Sequence, residues 1–255
     1  MARNQTIKST RWPLAVLHLI PTGAMSVSIP DNIARVEDRI AAACQRSGRR
    51  REDLKLVAVS KNQPAESVRA AYRVGLRDFG ENRVQEATAK RAALADLDVR
   101  WHMLGHLQSN KARLARELFQ WVHSVDSLRL AEKLALATKP AEAPLAILIE
   151  VNLAEEISKN GIRAGEVLTL AEQIALLPAV ELRGLMVIPP FFECPDDVRP
   201  YFRQLRNLAS KIASPELPEV SMRELSMGMS NDFEVAIEEG ATIIRVGTAI
   251  FGERA

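Results

Sequence analysis

The feature of this sequence that most constrains its fold is a regular alternation between short β-rich runs and helical segments. Eight candidate strands begin at or near Lys55, Arg77, Arg100, Gln120, Ala146, Glu181, Met222 and Thr242. A parallel sheet of eight strands can close on itself, with the connecting helices packed around its outside. The alternation therefore predicts an α/β fold consisting of a single (β/α)₈ TIM barrel. An open doubly wound sheet is the alternative, because periodicity alone does not distinguish the two.

Length and hydrophobic patterning agree with this prediction. A barrel of this kind typically needs about 250 residues, and the chain has 255. The run Ile147–Val151 is apolar on both faces except at Glu150, as expected for a strand buried on both sides of a parallel sheet. Apolar residues at helical spacing between Ile33 and Cys44 predict a leading helix before the first strand. Because no linker rich in Gly, Ser or Pro divides the chain, we expect residues 25–255 to form one domain.

The N-terminal segment lies outside the repeating pattern. Basic residues precede the apolar stretch Trp12–Ile20, which is the order found in a secretory signal peptide. Pro13 and His18 interrupt that stretch, however, and no clear small-residue cleavage site follows it. We therefore expect residues 1–24 to be a disordered extension, with Met25 as a candidate start.

Composition argues against several classes of function. The formal net charge of +2 is close to balance, so the sequence lacks the basic footprint of a nucleic-acid-binding protein. No segment reaches the roughly 18 consecutive apolar residues of a membrane span. The 2 cysteines are too few for a disulfide framework or a zinc cage, and His102, His106 and His123 lack metal-binding spacing. We expect no metal, and the reducing cytoplasm is the expected compartment.

Polar residues and glycines concentrate where the predicted strands end. In (β/α)₈ barrels this C-terminal edge of the sheet carries the active site. Lys61 directly follows the first strand, and Asn82 follows the second. Most loop lysines are simply solvated, but a lysine at a barrel mouth, directly after an apolar run, is expected to be partly desolvated. Burial favours the free amine, which is the form that makes a Schiff base with a carbonyl compound.

A second group of residues follows the last two strands and suggests a phosphate site. Ser230 precedes a helical stretch that contains Val235, and Gly247 and Thr248 follow the eighth strand. Barrels often bind phosphate at this place, on backbone N–H groups and a helix N-terminus. Taken singly, Ser230 is more simply a helix cap and Gly247 a turn glycine, but together they predict a phosphate cup. Arg245 is placed to point across the mouth, and a surface ion pair with Glu238 or Glu239 is its alternative role.

Seven short motifs between about Asp31 and Arg254 carry a family resemblance. They are Ala58-Val-Ser-Lys61, Phe79-Gly-Glu-Asn-Arg-Val-Gln-Glu86, Trp101-His102, Gly105-His-Leu-Gln-Ser-Asn-Lys111, Arg183-Gly-Leu-Met186, Leu225-Ser-Met-Gly-Met-Ser230 and Arg245-Val-Gly-Thr-Ala-Ile-Phe-Gly252. In this order they resemble the YggS/PROSC family, the pyridoxal phosphate homeostasis proteins. That family in turn resembles the barrel domain of fold-type III enzymes such as alanine racemase.

The resemblance implies a cofactor, pyridoxal 5′-phosphate (PLP), and the residues that bind it. Lys61 takes the place of the lysine that holds PLP as a Schiff base. Ser230, Gly247 and Thr248 match the positions that hold the phosphate, and Asn82 matches a residue that lines the pocket. The departures are the residue directly after the lysine and the N-terminal extension, and neither touches the implied site.

Arg245 constrains the chemistry expected at such a site, because the resemblance places it opposite the pyridine nitrogen. PLP enzymes that use the ring as a strong electron sink pair this nitrogen with a carboxylate, whereas a permanent cation disfavours its protonation. In the racemases a second domain also contributes a catalytic tyrosine. This chain stops at Ala255, just after the eighth unit, and its only tyrosines, Tyr72 and Tyr201, lie inside predicted helices. We therefore expect no catalytic residues.

The expected function is a non-catalytic one. We expect the protein to bind PLP and to buffer it or deliver it to apo-enzymes, with the effects on amino-acid and keto-acid balance that the resemblance implies. A PLP-dependent amino-acid racemase-like enzyme is the alternative, and it would exchange the α-proton of an amino acid. A third class, an interaction scaffold, would take up no cofactor. Monomer and weak dimer both remain open.

Overall fold

The computed structural model describes residues 28–139, 142–154, 160–213 and 220–252. The expected extension, residues 1–24, and the candidate start at Met25 lie outside the described residues. Within these ranges the strands are β1 Lys55–Val59, β2 Asp78–Glu81, β3 Arg100–Met103, β4 Trp121–Val125, β5 Leu145–Asn152, β6 Ile162–Arg163, β7 Val180–Met186, β8 Glu224–Ser226 and β9 Ile243–Val246. The helices are α1 Ile29–Ser47, α2 Ala65–Arg73, α3 Val84–Ala93, α4 Ala112–Leu118, α5 Leu128–Ala137, α6 Val167–Ala175, α7 Arg199–Ile212, α8 Phe233–Glu238 and α9 Thr248–Phe251.

Eight of the strands close into a parallel barrel. Their order is β4-β3-β2-β1-β9-β8-β7-β5, and β5 pairs in turn with β4. This closure confirms the predicted (β/α)₈ barrel and excludes the open doubly wound sheet, which would leave two unpaired edges. Each predicted strand start lies within two residues of an observed one.

A further strand, β6, lies outside the barrel. It is two residues long and pairs with the end of β5, where Val151 is opposite Ile162 and Asn152 is opposite Arg163. The sequence did not predict this strand because a segment of two residues is too short to show a period. Its position lengthens the wall of the barrel at the C-terminal end of β5, next to the mouth.

The apolar core has two layers because successive residues of a strand face opposite sides of the sheet. Leu56 and Ala58 of β1 belong to the large cluster between the strands and the helices, whereas Val57 between them faces the interior. The interior cluster consists of Val57, Leu104, Leu148, Met186 and Ile243. It is small because polar side chains occupy much of the remaining interior.

The predicted leading helix is confirmed as α1. Its first turn is capped by the hydroxyl of Ser28, which accepts the N–H of Asp31, and it ends at Gly48, whose φ of 66° is left-handed. The helix packs against the short helices α8 and α9. Its buried face consists of Ile33, Val36, Ile40, Ala43 and Cys44. Among the described residues no helix, α1 included, has both the length and the apolarity needed to cross a membrane.

Candidate functional site

A cavity of about 490 Å³ opens at the C-terminal ends of the barrel strands. Its volume is within the usual range of small-molecule sites. The six residues predicted from the sequence all line it: Lys61, Asn82, Ser230, Arg245, Gly247 and Thr248. They belong to β9 or to the segments that follow β1, β2, β8 and β9, so closure of the barrel is what brings them together.

The backbone that carries Lys61 is held by a buried ion pair. Lys90 Nζ donates to the carbonyl oxygen of Ser60 at 2.5 Å and to Oε1 of Glu81 at 2.6 Å. The Ser60 hydroxyl donates to the same carboxylate oxygen at 2.6 Å. Burial raises the pKa of Glu81, and the hydrogen bonds from Lys90 and Ser60 oppose that rise. Lys61 itself is half-buried, and it extends from this held segment into the cavity lining.

Asn62 turns the chain directly after Lys61. Its φ is 59°, in the left-handed region that asparagine tolerates better than most residues. Its backbone N–H donates to Oε2 of Glu86 at 3.0 Å, which ties the turn to α3. The residue that departs from the family pattern therefore has a local structural role next to the lysine.

In the structure the Ser230 hydroxyl lies beside the start of α9. The hydroxyl oxygen of Ser230 accepts the backbone N–H groups of Gly247 at 3.2 Å and Ala249 at 3.3 Å, both at the start of α9. Helix α8, which contains the predicted Val235, begins later, after a turn in which Asp232 accepts the Met229 N–H at 2.6 Å. The Ser230 side chain thus reaches across to the loop after β9, while the expected phosphate contacts, at the start of α8 and at Gly247 and Thr248, stay a prediction.

Arg245 is 4% exposed and lies in the barrel interior at the mouth. Its guanidinium donates to Ser226 Oγ at 2.6 Å and to the carbonyl oxygen of Val187 at 2.9 Å. Burial lowers its pKa to about 10, so it remains a cation at neutral pH. The alternative of a surface ion pair is wrong, because Glu238 and Glu239 pair with arginines of α1 and α7. Among the described residues, the hydrogen bonds to Ser226 and Val187 use two of the five N–H donors of the Arg245 guanidinium.

A chain of buried side chains, which sequence reasoning missed, runs from Arg245 toward the other end of the barrel. Ser226 Oγ lies 2.9 Å from His123 Nδ1, and His123 Nε2 lies 2.9 Å from His102 Nδ1. His102 Nε2 in turn lies 3.0 Å from Oδ1 of Asp78. These residues stand on β8, β4, β3 and β2. Their spacing along the chain carries no signal of the contacts, which arise from barrel closure.

The ionisation states determine which group donates and which group accepts in each of these buried hydrogen bonds. Burial alone would raise the pKa of Asp78, but hydrogen bonds from His102 and from an arginine on β3 hold it well below its ordinary value. Burial lowers the pKa of both His102 and His123, so each ring is neutral and has one N–H. Because Asp78 can only accept, His102 donates to it, His123 donates to His102 and the Ser226 hydroxyl donates to His123. The oxygen of Ser226 is thus left to accept from Arg245, which holds the guanidinium in place.

Replacing His123 with phenylalanine tests this buried chain. We expect the free energy of unfolding to fall by about 2–4 kcal/mol, because the ring nitrogen of His102 and the hydroxyl of Ser226 each lose a partner while buried. Urea denaturation followed by circular dichroism measures the change. His106→Phe, at a partly exposed position of the mouth, is the control and should stay within about 0.5 kcal/mol of the wild type. Equal stability of His123→Phe and wild type would contradict the assigned hydrogen bonds.

Glu150 also lines the cavity, and sequence reasoning noticed it without assigning it a role. Its side chain is on β5 and the residue is 6% exposed. Burial, assisted by the nearby charge of Asp126, raises the pKa of Glu150 to about 7, while Arg245 acts in the opposite direction.

Across the described ranges no group of three or more His, Cys, Asp and Glu side chains is arranged to hold a metal ion.

The fold and the cavity together define a class of protein. It is a (β/α)₈ barrel whose mouth presents a lysine amine, a buried guanidinium and a serine hydroxyl held by two backbone N–H groups, a set suited to a ligand with a carbonyl group and a phosphate. Residues 32–255 match the model of the family described as alanine racemase, N-terminal domain.

Relatives of nearly the same length narrow the class further. The chain is 45% identical over 224 residues to the pyridoxal phosphate homeostasis protein of Aquifex aeolicus, covering 88% of this chain and 97% of the relative. It is 44% identical over 233 residues to the protein of the same name from Escherichia coli, covering 89% and 97%. The chain therefore belongs to the alanine racemase N-terminal domain family and, within it, to the pyridoxal phosphate homeostasis proteins.

Solved structures agree with this assignment. PipY from Synechococcus elongatus, in its structure with PLP bound, is 41% identical with a TM-score of 0.78, covering 88% of this chain and all of PipY (100%). The PipY structure without PLP has a TM-score of 0.79 at 42% identity, with the same coverage of 88% and 100%. An alanine racemase from Clostridium difficile has a TM-score of 0.66 at 17% identity, covering 88% of this chain and 57% of the racemase, and this likeness concerns the fold alone.

Proposed function

We propose that this protein binds PLP at the barrel mouth as a Schiff base on Lys61 and acts in cytoplasmic PLP homeostasis, buffering the cofactor or delivering it to apo-enzymes. The observation that carries the proposal is the convergence of the lysine, the buried guanidinium and the Ser230 region on one cavity. The names of the relatives and the PLP bound to PipY support it. We take residues 25–255 as the unit that binds the cofactor.

The residues of the cavity fit the chemical groups of PLP. PLP supplies an aldehyde that reacts with an amine, a phosphate and a pyridine nitrogen. In the proposed site Lys61 binds the aldehyde carbon. Ser230, Gly247 and Thr248 surround the phosphate, with the Gly247 N–H holding the Ser230 hydroxyl in place. Arg245 donates one of its remaining N–H groups to the pyridine nitrogen.

Two observations support a role without catalytic turnover. Arg245 keeps its positive charge at neutral pH, and a cation beside the pyridine nitrogen disfavours the protonated ring that stabilises carbanions. The tyrosines lie on outer helices, where Tyr72 stacks under Arg77 and Tyr201 contacts Phe192. Neither tyrosine is among the described residues that line the cavity.

The visible absorbance spectrum of the purified protein, with and without added PLP, tests the proposal. We expect a yellow band that borohydride abolishes by reducing the imine. A protein that stays colourless with excess PLP would overturn the proposal and favour the scaffold. If the band forms and the protein also exchanges the α-proton of an amino acid for deuterium, turnover occurs and the racemase-like alternative replaces the non-catalytic role.

Ser230→Ala tests the phosphate cup. We expect the Kd for PLP to rise about tenfold, which corresponds to about 1.4 kcal/mol, because one hydrogen bond to an anionic oxygen is lost. Fluorescence titration measures the Kd. Ser210→Ala, on the exposed surface of α7, is the matched control and should leave the Kd unchanged. An unchanged Kd in Ser230→Ala would remove this residue from the binding site.

A further inference from the structure

Glu150 and Lys61 face each other across the mouth of the barrel. In the closed order of strands, four steps separate β1 from β5 in either direction, so the two strands lie on opposite walls. Lys61 follows β1, Glu150 belongs to β5, and both line the same cavity. A ligand held by Lys61 therefore lies between the amine and this carboxyl group.

The carboxyl group of Glu150 has an unused oxygen. Its Oε2 is buried and has no hydrogen-bond partner among the described residues. Buried polar atoms in folded proteins are nearly always paired, so such an atom in the wall of a ligand cavity is explained by contact with the ligand. No mechanism described above uses this oxygen.

Charged groups surround Glu150 from several elements. Asp126, which follows β4, is the nearby like charge, and it lies 3.4 Å from His106 of the loop after β3. Arg245 on β9 is the cation that favours ionised Glu150, and Lys61 lies across the cavity. The like charge and the burial outweigh the cation, so Glu150 is readily protonated.

We propose that Glu150 is a ligand-contacting residue that binds in its protonated form and donates its O–H to an oxygen at the end of the bound ligand that faces β5. This inference rests on the proposed function and adds a residue to the same site. An ionised carboxylate at this position would set a second negative charge against the ligand in a buried cavity. The protonated form removes that repulsion and satisfies the unused oxygen.

The proposal predicts that binding takes up a proton. Because burial raises the pKa of Glu150 to about 7, the fraction of protein in the competent, protonated form falls as the pH rises above that value. The apparent Kd is the intrinsic Kd divided by the competent fraction, so it should rise about fivefold from pH 7 to pH 8 and about ninefold from pH 8 to pH 9. Without Glu150 this increase should disappear.

The experiment uses pyridoxine 5′-phosphate, which has an alcohol in place of the aldehyde and forms no bond with Lys61. Its Kd is measured by calorimetry from pH 6 to pH 9 for the wild type and for Glu150→Gln, which keeps the shape but does not titrate. Any change in Kd caused by titration of the ligand itself is the same for both proteins. The difference between their pH profiles therefore reports the titration of Glu150. We expect the wild-type Kd to rise about 50-fold from pH 7 to pH 9, and that of Glu150→Gln to change by less than about threefold. Glu181→Gln, a half-exposed position paired with Arg183 at the start of β7, is the matched control and should keep the wild-type slope.

The outcomes separate this inference from the proposed function. If Glu150→Gln keeps the wild-type slope, Glu150 is not the titrating contact, while PLP binding stands. If wild-type protein binds neither pyridoxine 5′-phosphate nor PLP, the proposed function itself fails. Should Glu150→Gln not fold, Asp126→Asn supplies the test, because removing the like charge lowers the pKa of Glu150. The rise in Kd should then begin at lower pH, and an unchanged onset would overturn the inference.

Discussion

Lys61→Ala is expected to abolish the visible absorbance band that the wild type shows with PLP and to raise the Kd for PLP at least about 100-fold, or about 2.7 kcal/mol. In the proposed site Lys61 is the amine that forms the covalent link, whereas the proposed phosphate contacts of Ser230 and Thr248 would persist in the variant. Absorbance titration measures the band, and equilibrium dialysis measures the remaining affinity.

A control lysine separates this effect from general lysine chemistry. Lys139→Ala removes a lysine whose side chain is 78% exposed, and it should keep both the band and the affinity. If Lys61→Ala retains the band while Lys139→Ala loses it, the cofactor is attached elsewhere. If both variants retain it, a different amine carries PLP and the cavity is not the site.

The largest expected effect on stability comes from Lys90→Met. This change leaves the Glu81 carboxylate buried without its cation and removes the donor to the Ser60 carbonyl oxygen. Breaking a buried ion pair on one side costs about 3–5 kcal/mol of unfolding free energy. Because Ser60 precedes Lys61, we also expect the absorbance band with PLP to weaken. Urea denaturation measures the stability, and the absorbance titration measures the band.

The double variant Glu81→Gln with Lys90→Met tests whether the unpaired carboxylate causes the loss of stability. It removes both charges, so we expect it to recover more than half of the unfolding free energy that Lys90→Met loses. Arg69→Met, which breaks an ion pair with the exposed carboxylate of Asp96, should cost no more than about 1 kcal/mol. If the double variant is no more stable than Lys90→Met alone, lost packing rather than the buried charge explains the effect.

The barrel could be predicted because its signal is local and repeated. Each strand is a short β-rich run, each helix has its own period, and eight repetitions compensate for an error in any one unit. The candidate site could be predicted for a related reason. Residues that follow parallel strands meet at one edge of the sheet, so Lys61, Asn82, Gly247 and Thr248 could be assigned to one cavity before their distances were known.

The features that sequence reasoning missed depend on contacts between distant segments. The Ser230 hydroxyl accepts N–H groups at the start of α9, and this contact depends on the direction of one side chain between two neighbouring loops. The hydrogen bond between His102 and His123 depends on the register of β3 against β4. Neither feature leaves a period or a motif in the sequence.

The sequence by itself determined the order and type of the elements, the number of barrel strands and the positions at which polar residues follow them, whereas closure of the sheet was seen only in the structure. Local propensity and hydrophobic alternation are sufficient for these, since they depend on neighbouring residues. The tertiary structure alone decided that Lys90 holds the segment before Lys61, that Asp78 and two histidines hold Arg245, and that Glu150 lies opposite the lysine. Those relations depend on strand register and side-chain direction across a closed barrel, which become defined only when residues far apart in the chain pack together.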